Sequence, residues 1–164
     1  MKLNDPSALA VQRWGKESSH QLNAWSINTG GQTGLWRLLP LLSSLVFSDR
    51  PDVILIQEVA VSADGWITVH SRFDALGFTA YYIEPLFEKK RIGGVAIAVK
   101  SCFHSQLFFA DRWQHGQAIA VKVGNTLALL SYCSPRGAPS DWLHQLWRSW
   151  NWRGRWFWAG DWNQ

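Results

Sequence analysis

Cysteine is scarce. Cys102 and Cys133 are the two in 164 residues, and they have no metal-ligand spacing. Reduced thiols in an intracellular protein, with nucleus and cytoplasm unresolved, are the expectation. No apolar run approaches the length that spans a bilayer, so no transmembrane segment is expected. Residues 1–20 are polar and carry no apolar signal-peptide block. No internal repeat, linker or low-complexity stretch appears along the chain. These absences argue against a membrane-spanning helix, a cysteine metal centre and a repeat array. What remains is a polar leader over residues 1–20 and one globular domain over residues 21–164.

The composition fits that reading. A hydrophobic fraction of 47% is that of a folded protein with a core. Tryptophan is abundant, at 12 residues; its size makes it costly to expose, so most are expected in the core. A few can serve as stacking surfaces for bases or sugars. The formal net charge of +4 permits a polyanionic partner without proving one.

Periodicity places the elements. Residues 21–28, "QLNAWSIN", alternate as a strand. Gly30, Gly31 and Gly34 read as a loop. Leu35, Leu38, Leu39, Leu42, Leu45 and Val46 repeat at helical spacing; with Pro40 inside, the helix either begins just before the proline or kinks at it. "VILIQE", residues 53–58, is a β-branched run typical of a strand buried on both faces. Residues 62–77 read as a helix closed by Gly77. Residues 78–84, 93–100, 103–110, 117–123 and 126–132 follow as strands, with a tight hairpin expected at Gly124-Asn125. Residues 140–150 form a helix in this reading, and residues 155–159 a last strand. The order implies a two-sheet core with outer helices rather than a simple parallel fold.

Strand ends beside loops are where α/β proteins place their chemistry. Asn28, Glu58, Tyr132, Asp161 and Asn163 each end or follow an apolar strand. Each also has a plainer reading. Glu58 can be a solvated carboxylate, Asn28 a turn former, Tyr132 a strand aromatic, and Asp161 with Asn163 a turn pair. "GGQTG" lacks the Lys-Ser/Thr of a phosphate-binding P-loop. Gly93-Gly94 reads as a close backbone approach. "LWRSWNWRGRW", residues 146–156, interleaves Arg148, Arg153 and Arg155 with tryptophan. Those are ingredients of single-strand binding, but the favoured reading is an amphipathic helix with buried tryptophans and a solvated basic face.

The segments "SINTGG", "PDVILIQEV", "GGVAIAVK", "LLSYCSPRG" and "WAGDWNQ" occur in that order. Together they resemble the successive motifs of the endonuclease/exonuclease/phosphatase (DNase I-like) family. The resemblance implies an α/β fold, a four-layer sandwich of two packed, mostly antiparallel sheets with outer helices. It also implies hydrolysis of phosphodiester or phosphomonoester bonds with Mg²⁺ or Mn²⁺. Carried over by motif, Glu58 is the metal-binding glutamate, assisted by Asn28 and Asp161. Asp161, Asn163, Tyr132 and Asn28 form the catalytic set. Asp161 orients or deprotonates the attacking water, and Tyr132 donates to a non-bridging phosphate oxygen.

The substrate classes implied are nucleic acid (DNA or RNA) and the phosphoinositide or phospholipid headgroup, with the positive charge favouring nucleic acid. The sequence departs from the family pattern in two ways. Gly30 stands where many members carry an acidic residue, and no closing Ser-Asp-His motif follows Asp161. "SDRP" at residues 48–51 has arginine for the histidine and precedes Glu58. The expectation is therefore an endonuclease truncated after "GDWN". The alternative is an inactive family remnant that at most binds nucleic acid.

Overall fold

The computed structural model describes residues 11–13, 22–85, 93–113, 116–124, 127–133, 148 and 154–161. The first sheet contains β1 (Val11–Arg13), β2 (Asn23–Asn28), β3 (Val53–Gln57), β4 (Phe78–Ile83) and β5 (Val95–Lys100), in the order β1-β2-β3-β5-β4. The second contains β6 (Ser105–Trp113), β7 (Gly116–Val123), β8 (Leu127–Cys133) and β9 (Arg155–Asp161), in that order. Two α-helices, α1 (Gln32–Ser44) and α2 (Ala63–Ala75), and a short 3-10 helix at Phe47–Asp49 complete the described elements. Three residues of the segment read as a polar leader, Val11–Arg13, pair antiparallel with β2 as an edge strand.

β3 has apolar residues on both faces because it is covered on both. Ile54 and Ile56 face the helices, packed with Leu35, Leu38, Leu39 and Leu42 of α1 and Val69 and Phe73 of α2. Val53 and Leu55 face the second sheet, among Ile119, Val121, Leu129 and Phe157. The described residues thus build a helix layer and two stacked sheets, an α/β sandwich. The helix read over residues 140–150 lies outside them, apart from Arg148. Several tryptophans sit at the margins of the core: Trp25, Trp36, Trp66 and Trp156 are partly buried, and Trp158 is 53% exposed. An indole is large and keeps a polar edge, so it settles where an apolar layer meets solvent.

The helix boundaries show what periodicity missed. α2 begins where Ser62 caps it, its hydroxyl accepting from the Gly65 N–H at 3.2 Å. It ends at Ala75, and Gly77, just past the cap residue Leu76, turns the chain with a φ of +81° that suits glycine. α1 starts at Gln32, well before Pro40, so the proline lies inside the helix and a start just before it is excluded. Gly34, expected in the loop, lies in the first turn of α1. The turn presses so closely on the end of β2 that a Cβ at Gly34 would lie 1.8 Å from the Thr29 carbonyl oxygen.

The sheet end away from the candidate residues is locked by charge. Lys100 Nζ meets Asp52 Oδ1 at 3.0 Å, and Asp52 Oδ2 accepts from the Asn23 N–H at 2.9 Å. Lys100 is buried, and pairing satisfies a charge that burial alone would penalise.

Alanine at position 34 tests the packing of α1. Helix propensity alone would favour it by about 1 kcal/mol. The clash with backbone outweighs that gain, and Gly34→Ala is expected to destabilise the fold by at least about 2 kcal/mol, read from urea unfolding.

Candidate functional site

β2 and β3 run parallel, with Asn28 opposite Gln57 in the register. Asn28 and Glu58 therefore leave the first sheet side by side at one end. β8 and β9 also run parallel, with Tyr132 opposite Gly160 and Cys133 opposite Asp161. The two pairs of strand ends meet at one rim. There Gln57 Nε2 donates to Ser131 Oγ at 3.1 Å, and Ser131 Oγ donates to the Ile56 carbonyl at 3.3 Å. Both side chains are buried between the sheets. One residue beyond Gln57 is Glu58; one residue beyond Ser131 is Tyr132.

The chain around Glu58 is held in an unusual shape. Glu58 and Ala60 have φ of +54° and +52°, the left-handed region, and are the non-glycine residues that adopt it among those described. Such a conformation costs about 1–2 kcal/mol per residue. It persists only where neighbours enforce it. Here the Gly31 N–H and Thr29 Oγ1 donate to the Glu58 carbonyl at 2.9 and 2.7 Å. The Val59 and Ala60 N–H groups donate to the carbonyls of Gly94 and Gly93 at 3.1 and 3.0 Å. The glycine pair is a close backbone approach as read, placed just before β5: a Cβ at Gly94 would sit 3.2 Å from the Ala60 nitrogen.

Asn28 has a structural part as well as a candidate chemical one. Its Oδ1 accepts from the Gly30 N–H at 2.8 Å, shaping the turn into α1. Beside it, Asn28, Arg37, Leu38 and Leu41 line a pocket of about 200 Å³. The lining is mostly apolar, and Arg37 is exposed beside it. Of the other candidates, Tyr132 and Asp161 are described through their backbone, at the ends of β8 and β9. Asn163 lies outside the described residues. The rim thus gathers Asn28, Glu58, Tyr132 and Asp161 from four strands.

The donor chemistry suits a hard cation. An amide oxygen beside a carboxylate is the oxygen set that Mg²⁺ or Mn²⁺ accepts, with one or two carboxylates sufficient because water fills the remaining positions. No three His, Cys, Asp or Glu residues cluster among the described residues, so the described part of the rim offers few ligating side chains.

The residues missed from sequence are the ones that assemble the rim: Gln57, Ser131, Thr29 and Gln117. Gln117 is buried; its Oε1 accepts from the Gly94 N–H at 2.5 Å, and its Nε2 donates to the Glu84 carbonyl. A signal existed in the polar residue that interrupts an apolar strand, as in "VILIQ" and "LALLS". Its partner on a distant strand could not be read.

Sequence comparison agrees with this architecture. Residues 21–164 match the profile of the Endonuclease/Exonuclease/phosphatase family, and the chain belongs to that family. No curated protein matches it in sequence. Among solved structures it is similar to ANGEL2, a 2',3'-cyclic phosphatase, at 16% identity and a TM-score of 0.56, over 87% of this chain and 53% of that one. It is also similar to a mutant of Cimex nitrophorin in its ferrous NO complex, at 15% identity and a TM-score of 0.50, over 87% of this chain and 60% of that one. The chain therefore spans between about half and three-fifths of the length of these structures. They share its sandwich fold, and a fold shared by a phosphatase and a nitrophorin does not by itself choose a chemistry.

The inter-sheet bond carries a clear expectation. Ser131→Ala leaves the buried Gln57 amide without its acceptor and should cost about 1–3 kcal/mol. Adding Gln57→Leu removes the orphaned group. The double variant should then be less destabilised than the sum of the two singles, as a double-mutant cycle in urea would show.

Proposed function

We propose that the protein is a divalent-metal-dependent phosphoesterase, most specifically an endonuclease acting on nucleic acid. The observation that carries this reading is the meeting of the family's motif-bearing strand ends at one rim. Glu58, Asn28 and Asp161 are the proposed holders of Mg²⁺ or Mn²⁺, which when bound supplies the positive charge that polarises a phosphoryl oxygen.

The remaining roles belong to this chain's own groups. Asp161 orients the attacking water and takes its proton. Asn163 accepts from and donates to that water, having both functions on one amide. Tyr132 donates to the non-bridging oxygen on which negative charge grows. Arg37, exposed on α1 near Asn28, is a cation available to a substrate that carries further phosphates. The net charge of +4 acts in the same direction by raising the local concentration of a polyanion.

The test is cleavage of plasmid DNA, an abasic-site oligonucleotide and an RNA of matched length, with and without Mg²⁺. Activity is expected to vanish with chelator and with Glu58→Ala, and to fall about 10²–10⁴-fold in Asp161→Asn. Chelator-insensitive, salt-sensitive oligonucleotide binding without cleavage would contradict the enzymatic reading. Cleavage of an inositol phosphate or phospholipid headgroup in preference to all three nucleic acids would contradict the substrate class.

A further inference from the structure

We infer that Gln117 is a positioning residue for Glu58, acting across the two sheets through a single residue, Gly94. The inference rests on the reading of Glu58 as a metal ligand. Gln117 sits on β7 of the second sheet, fully buried, and spends both ends of its amide on the first sheet's side. Its Oε1 takes the Gly94 N–H at 2.5 Å, and its Nε2 reaches the Glu84 carbonyl. The carbonyl of the same Gly94 accepts from the Val59 N–H at 3.1 Å, and Gly93 accepts from Ala60 at 3.0 Å. The Gly94 residue thus has its N–H tied to Gln117 and its carbonyl tied to the turn that follows Glu58.

That turn is where support is needed. Glu58 and Ala60 are both left-handed, and a non-glycine residue relaxes out of that region when its neighbours release it. A carboxylate that must meet a cation within a few tenths of an ångström depends on such support, and loss of an outer hydrogen-bond partner commonly weakens metal binding about 10–100-fold. Gln117 does not need to approach the metal or the substrate. It fixes Gly94, Gly94 fixes Val59, and the direction in which Glu58 leaves β3 follows.

The experiment uses the full chain and measures Mn²⁺ dissociation constants by titration, together with amide hydrogen exchange at Val59 and Ala60. The proteins compared are the wild type, Glu58→Ala, Gln117→Met, Gln117→Glu and Ile119→Val. Gln117→Met keeps the shape and removes both hydrogen bonds. It should weaken Mn²⁺ about tenfold and speed exchange at Val59 and Ala60. In its protonated form Gln117→Glu offers the same acceptor and donor, and should stay closer to wild type. Ile119→Val, a buried change on the same strand, should lose stability but not affinity. If Gln117→Met does not fold, Gly94→Ala disturbs the same link from its other end and is held to the same outcome.

Unchanged Mn²⁺ affinity in Gln117→Met, or a loss no greater than that in Ile119→Val, overturns the positioning role. A wild type that binds no Mn²⁺, or a Glu58→Ala variant that binds as tightly as wild type, overturns the metal reading beneath it.

Discussion

The buried hydrogen bond between Gln57 and Ser131 is the constraint on which the arrangement depends. Two apolar sheets can slide over one another at little cost, because dispersion and burial are not directional. A buried amide that must find its acceptor is directional, and leaving it unmade is costly. Gln57 Nε2 donates to Ser131 Oγ at 3.1 Å, and Ser131 Oγ in turn donates to the Ile56 carbonyl. This fixes the end of β3 against the end of β8. Glu58 and Tyr132 are the next residues on those strands, so the same bond sets one half of the rim against the other. Gln117 performs a matching task a strand away.

Polar and apolar parts divide the work. Val53, Leu55, Ile97, Ile119, Val121, Leu129 and Phe157 provide the burial that holds the sheets together. The Lys100–Asp52 pair closes the end remote from the rim. At the rim itself the backbone is bent into left-handed conformations at Glu58 and Ala60. Strain of this kind gathers at functional sites when the surroundings over-determine the chain. Here Gly31, Gly93 and Gly94 hold the turn through backbone hydrogen bonds, and Gly94 approaches it closely.

Much of the fold was legible in the sequence because local patterns decided it. "VILIQ" is buried along its whole length because both faces are covered, as a continuous β-branched run implies. Ser62 and Gly77 marked the limits of α2. The two-sheet core with outer helices followed from the order of elements. What failed to show was decided by contacts between distant parts of the chain. Gly34 reads as a loop breaker, yet it is glycine because α1 lies against the Thr29 carbonyl. Pro40 is carried inside a helix whose leucine face is buried, and packing overrode its local preference. Asn28 and Glu58 could be named from their motifs, and the parallel register of β2 and β3 shows why they emerge together. Gln57, Ser131 and Gln117 could not be assigned, since a buried polar residue acquires its meaning from a partner that sequence spacing does not reveal.

The central claim is that strand ends from both sheets form one cation site. Paramagnetic broadening by substoichiometric Mn²⁺ in an amide correlation spectrum tests it directly. A single site at the rim would broaden the amides of Gly30, Glu58 and Gly160 together. It would leave Asp52 and Lys100, at the other end of the sheet, sharp. Broadening confined to one sheet, or spread evenly over surface carboxylates, would contradict the account.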